Sequence, residues 1–136
     1  MNSSKEKYYR GLFLIAAIYD FILGIVFALF PKLPFNLLGI PEKLPQFVGY
    51  IQLIGAFLFV IGVAYYLIYK GDFQKNRDLI VVGALYKFAY FSITFFYFVA
   101  GSIPHFLFFA VFGIADLIML ILMVECLLYL KKNNKD

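Results

Sequence analysis

Asp20, Lys87 and Asp116 each interrupt a long apolar run: "IYDFILGIVFALF", "VVGALYKFAYFSITFF" and "FGIADLIMLIL". An acid and a base held together can pass a proton or grip a polar head group. Two carboxylates and one ammonium sum to a net negative charge, which a low dielectric penalises; a proton kept on the set would neutralise it. The same three residues can equally form a fixed ion-pair lock that selects one helix arrangement, although buried pairs add little net stability. Both readings stand on the residues alone.

Tyr90 and Gln52 complete the candidate ligand-binding or proton-handling set. Tyr90 lies one turn beyond Lys87 on the face Lys87–Tyr90–Phe91–Thr94, where it can line a cavity. Gln52 and Tyr50 fall near the end of a second apolar run, where bonding between helices is the simpler expectation. Glu125 is expected in interfacial water and His105 at the surface. With one histidine and one cysteine, Cys126, the chain offers no bis-histidine haem, no His-rich zinc site and no internal disulfide. No nucleophile motif, metal cluster or phosphate loop is found, so a non-enzyme is favoured and no cofactor is assigned.

The elements that must position these residues are set by composition. Of the residues, 64% are hydrophobic and 15% charged, against roughly half and a quarter in soluble domains. The expected fold is therefore all-α, a polytopic membrane protein with a four-transmembrane-helix bundle in one domain, 1–136. Apolar runs cover Gly11–Phe30, Phe47–Tyr69, Leu79–Ala100 and Phe106–Leu130, each of the roughly 17–25 residues that cross a hydrocarbon core. The first run follows Lys5, Lys7 and Arg10 like a signal peptide, but its length, Asp20 and lack of a cleavage site predict that it is retained.

Four spans put both termini on one side, with Lys5, Lys7, Arg10, Lys70, Lys75, Arg77, Lys131, Lys132 and Lys135. The other side holds Lys32 and Lys43. Nine against two predicts cytoplasmic termini in a positive-inside membrane, with the bacterial inner (cytoplasmic) membrane as the expected location. The net charge of +4 then reflects orientation, and nucleic acid is not a partner. Counting ~1.5 Å per residue puts Asp20 ~15 Å deep, Lys87 ~12 Å from the same side and Asp116 ~15–20 Å from the other. All three share one layer. A charge facing lipid there costs at least ~2.5–3.5 kcal/mol, so Lys87 is expected to pair inside the bundle with Asp20, Asp116 or both.

Packing cues agree. Ala16, Asp20, Gly24 and Ala28 recur every four residues in the first span, and Gly55 and Gly62 offer a groove on the second; small residues let helices approach. Tyr8, Tyr9, Tyr69 and Tyr129 at span ends are expected as interface anchors. The external Pro-rich loop 31–46 contains "FNLLGI", too short to cross and expected as a short helix or coil on the outer interface. In "GSIPH", Gly101 can end one helix, Ser102 can cap the next, and Pro104 fits its first turn.

The pieces "IYDFILGIVFALFP", "LLGIP", "YIQLIGAFLFVIG", "VVGALYK" and "FGIADLIM" together touch most of the chain. In this order they resemble the small four-span membrane proteins of the DoxX-like kind. That resemblance implies a compact bundle and transfers no catalytic residue. Four functions compete. The first is binding of a lipophilic small molecule, quinone- or lipid-like, with its head near Asp20, Lys87 and Asp116. The others are a proton-coupled oligomeric transporter or channel, an accessory subunit of a membrane complex, and an enzyme using an aspartate and Lys87. Expected partners are the lipid bilayer, a lipophilic ligand, and a second copy or other membrane protein.

Overall fold

The computed structural model describes residues 3–133; Lys135, counted above among the basic residues, lies outside them. All regular elements among the described residues are helical. Helix α1 covers Ser3–Leu29 and α2 Lys32–Leu37, followed by a 3₁₀ turn at Pro41–Lys43. Helix α3 covers Gly49–Lys70 and α4 Arg77–Val99. Helix α5, Phe106–Phe109, runs through a π turn at Ala110–Ile114 into α6, Ala115–Asn133. These last three form one rod, so four helices are long and apolar enough to cross a membrane. They match the four apolar runs to within a few residues, except that α1 begins well before Gly11.

The four rods alternate in direction and form a square. Neighbours are α1 and α3, α3 and α4, α4 and α6, and α6 and α1. Helices α1 and α4 therefore face each other across a diagonal. The most extensive contact joins α1 to α3, and glycines make it possible. A Cβ on Gly24 would lie 2.6 Å from the Phe59 amide nitrogen and 2.8 Å from the Gly55 carbonyl oxygen. One on Gly55 would lie 2.7 Å from the Phe27 carbonyl carbon. Only hydrogen fits in this backbone-to-backbone seam.

The core divides into two parts. Around the end that carries the termini, Tyr9, Phe13, Tyr65, Ile68, Phe73 and Met123 pack together. Near the other end, Phe27, Phe35 and Leu58 form a smaller cluster. The outside is itself apolar: Ile15, Ile22, Val60, Val82, Ile121 and Leu128 are all exposed.

The connections follow local chemistry. Gly39 and Gly101 adopt φ +73° and +76°, and each closes a helix through paired backbone bonds. Gly39 N–H donates to Asn36 and Ile40 N–H to Phe35; Gly101 N–H donates to Phe98 and Ser102 N–H to Tyr97. Helix α2 rests on buried Phe35, as expected for a short helix in the loop. After Gly101 the expectation fails in detail. Neither Ser102 nor Pro104 enters the next helix; His105 is its N-cap, accepting from the Leu107 N–H at 3.0 Å. The ring before Phe106 thus takes the capping role that a serine three residues earlier was expected to fill. The hairpin nonetheless keeps α4 beside α5, with Phe98 stacked on Phe109 at 4.0 Å.

At the terminal end, Arg10 is more than an orientation charge. Its guanidinium donates to the carbonyls of Tyr69 and, at 3.0 Å, Gly71, where α3 leaves carbonyls without helical partners. Glu6 holds it at 2.7 Å, and the Phe73 ring lies 4.7 Å beneath it. The interface-anchor expectation is corrected for Tyr9, which is fully buried and whose hydroxyl donates to Glu125 at 2.9 Å. Glu125 is exposed, as expected, and also lies 3.9 Å from Lys5. The cause is the rotation of α1, which turns Tyr9 toward α6 and leaves Tyr8 outside.

Candidate functional site: a buried Asp–Lys–Asp centre beside an aromatic cavity

The three ionisable residues meet at the middle of the square. Lys87 is 0% exposed, Asp20 1% and Asp116 3%. The Lys87 Nζ donates to Asp20 Oδ1 at 3.2 Å and Oδ2 at 3.0 Å, and to Asp116 Oδ1 at 3.1 Å. An ammonium has three N–H groups, and three carboxylate oxygens surround this one. Lys87 reaches across the diagonal from α4 to α1, a distance that its four-carbon stem suits. Asp116 arrives from the adjacent α6. Asp20 engages through both oxygens and Asp116 through one.

Two aromatic rings wall the centre. Those of Tyr19 and Tyr65 lie 5.3 and 5.4 Å from Nζ, within the range at which a ring face attracts a cation. Their hydroxyls point to backbone instead: Tyr65 donates to Gly83 at 2.7 Å and Tyr19 to Val111 at 2.7 Å. Gly83 lets Tyr65 lie against α4, because a Cβ there would meet the ring at 2.6 Å. Val111 belongs to the π turn, whose i→i+5 register disturbs the regular helical ladder. Tyr19 thus ties α1 to the turn that immediately precedes Asp116.

These supporting residues escaped the sequence reading, although signals for them exist. Tyr19 adjoins Asp20, and Gly83 lies one turn before Lys87 on the same face. The π turn has no comparable mark. "VFGIAD" reads as ordinary apolar helix.

Of the five candidate site residues, three are joined and two are not part of that contact. Gln52 donates to the Ala28 carbonyl at 3.0 Å near the surface. It fastens α3 to the end of α1, the inter-helix bond anticipated for it, and does not touch the charged centre. Tyr90 accepts a hydrogen bond from the Tyr86 hydroxyl at 3.1 Å. Tyr90 also stacks on Phe112, centroids 5.6 Å apart.

Tyr90 borders a cavity of about 400 Å³ toward the end opposite the termini. Phe27, Phe35, Phe108 and Phe112 supply further rings, Ile51 and Ile54 the α3 side, and Ala89, Ile93 and Thr94 the α4 side. A second space of about 320 Å³ adjoins it between α1, α2 and α5, sharing Phe27, Phe108 and Phe112. Neither is lined by Asp20, Lys87 or Asp116. The hydroxyls of Tyr90 and Thr94 are the polar side-chain groups of the larger lining, and that of Thr94 donates to the Tyr90 carbonyl at 2.6 Å.

Among the described residues no group of His, Cys, Asp and Glu is arranged to hold a metal ion. Comparison of the chain with family models, with curated proteins and with solved structures yields no match in any of the three.

Proposed function

We propose that this chain is an integral membrane protein that binds a lipophilic small molecule in the aromatic cavity beside Tyr90. The single observation carrying this reading is the cavity itself. Its volume of about 400 Å³ falls in the ~300–1,000 Å³ range of small-molecule sites, with apolar walls and few polar groups. The exposed apolar belt and the four long helices support insertion in a bilayer, and the basic residues support cytoplasmic termini. A lipophile would then enter from the lipid phase without crossing water.

In this reading the charged centre stands behind the site rather than in it. Every Lys87 N–H has an acceptor within the centre, so the ammonium has none to spare for a head group. Asp20, Lys87 and Asp116 fix how α1, α4 and α6 meet, and the cavity is what that arrangement leaves open. The DoxX-like resemblance fits a bundle of this size and says nothing further about the ligand.

A second reading, proton handling at the same centre, is favoured by one feature: Asp116 uses only Oδ1 on Lys87, leaving an oxygen that could hold a proton.

Native mass spectrometry of gently purified protein tests the main reading. A stoichiometric lipophilic adduct is expected on the wild-type chain and is expected to be lost from Ala89→Phe, which adds a ring to the cavity lining. A bare protein in both preparations would sink it.

A further inference from the structure

We infer that the cavity selects neutral lipophiles carrying a hydrogen-bond acceptor, a ketone being the simplest case, which the Tyr90 hydroxyl recognises. This rests on the reading of the cavity as a binding site and specifies its ligand class. Three observations lead to it.

The lining carries no ionisable side chain other than the Tyr90 phenol. An ion entering it would lose its hydration without gaining a counter-charge, so the occupant is neutral. Next, the Tyr86 and Tyr90 hydroxyls lie 3.1 Å apart. Each phenol has one proton to give, and their mutual bond uses one of the two. Tyr90 is the member of the pair that borders the cavity, so with Tyr86 donating to it the remaining proton is offered to whatever fills that space. Thr94 adds no second donor, since its hydroxyl is spent on the Tyr90 carbonyl. Finally, Phe27, Phe35, Phe108 and Phe112 line the same cavity, and Phe112 stacks on the Tyr90 ring. Such walls favour flat, polarisable bodies whose edges and faces can pack on ring faces.

Depth separates two sources of such an oxygen. Tyr90 lies three residues beyond Lys87, ~4.5 Å further along α4, and so near the middle of a bilayer in the proposed placement. Phospholipid ester carbonyls stay at the interface, more than a helical turn away. The acceptor therefore belongs to a free lipophile dissolved in the hydrocarbon, not to a bilayer phospholipid.

Benzophenone and diphenylmethane form the test pair, since they differ in the carbonyl oxygen and little else. Benzophenone also labels its site on irradiation. Saturable labelling of the purified full-length chain would be measured in micelles of fixed composition, with diphenylmethane and then phospholipid as competitors. Partitioning into the micelle is common to all variants and cancels between them. The expected result is labelling within Ala89–Thr94 and a ketone-over-hydrocarbon ratio about 3- to 10-fold higher in the wild type than in Tyr90→Phe, the usual worth of one net hydrogen bond. Tyr86→Phe should keep the wild-type ratio. Equal ratios in the wild type and Tyr90→Phe would overturn the inference and leave the cavity reading standing. So would a loss of both probes together in Tyr90→Phe, or displacement by phospholipid. Absence of saturable labelling in the wild type would instead remove the cavity reading, and this inference with it.

Discussion

A lysine among apolar residues names its partners by necessity, because an unpaired ammonium cannot be left in the interior. Lys87 satisfies that rule twice over, at 3.0 Å from Asp20 and 3.1 Å from Asp116. Its removal therefore harms more than it spares. Lys87→Met should destabilise the fold by ~3–5 kcal/mol, the cost of leaving buried charges without their counter-ion. Thermal unfolding in detergent would measure this as a lowered midpoint. Adding Asp20→Asn and Asp116→Asn to that background should restore most of the loss, because amides need no counter-charge. No recovery in the triple variant would contradict the ion-pair lock. The same variant separates the two functional readings. Retention of a lipophilic adduct by the neutral triple variant is expected if the centre only locks the helices. Restored folding without the adduct would assign the centre a direct part in binding.

Between elements, the α1–α3 seam is governed by what is missing from it. Gly24 and Gly55 bring backbones together so closely that a methyl group on either would overlap main-chain atoms. Without a hydrophobic drive between helices in lipid, such close packing is a main source of association. Gly55→Ala should therefore lower the unfolding midpoint, by about 1–3 kcal/mol of overpacking. Gly11→Ala in helix α1 provides the contrast, since an added Cβ there meets nothing within 4 Å. It should raise stability by about 0.5–1 kcal/mol, the ordinary helical advantage of alanine over glycine. If both substitutions shifted the midpoint equally, the seam would have no special role. The seam was legible from the four-residue spacing of Ala16, Asp20, Gly24 and Ala28, and the layer of charges from a constant rise per residue. Rotation was not legible. Helix α1 is apolar nearly all round, so nothing in its pattern tells that Tyr9 faces α6 while Tyr8 faces outward. The π turn before Asp116 and the His105 cap escaped for a related reason. Each depends on how a chain already committed to helix settles its last few hydrogen bonds, and several local solutions fit the same residues.

For the molecule as a whole, the cavity was the least legible feature, because its lining is gathered from α1, α2, α3, α4 and α5 rather than from any one segment. Tyr90 was placed near it only through its step from Lys87. Orientation, by contrast, belongs to the whole distribution of charge. Lys5, Lys7, Arg10, Lys70, Lys75 and Arg77 sit with Lys131 and Lys132 at one end of the bundle, and Lys32 and Lys43 at the other. Arg10, clamped on the end of α3, contributes to structure as well as to this bias. Positively charged segments resist transfer across an energised membrane, so the richer end is expected in the cytoplasm. Single cysteines test this once Cys126, which is buried, is replaced by alanine. A cysteine in place of Lys43, in the 3₁₀ turn beyond α2, should react with a membrane-impermeant maleimide added to intact cells. One in place of Lys75, between α3 and α4, should react only after permeabilisation. Labelling at both sites in intact cells would remove the case for insertion. The reverse pattern would keep the bundle in the membrane and invert it, which would move the cavity from the outer half of the bilayer to the cytoplasmic half.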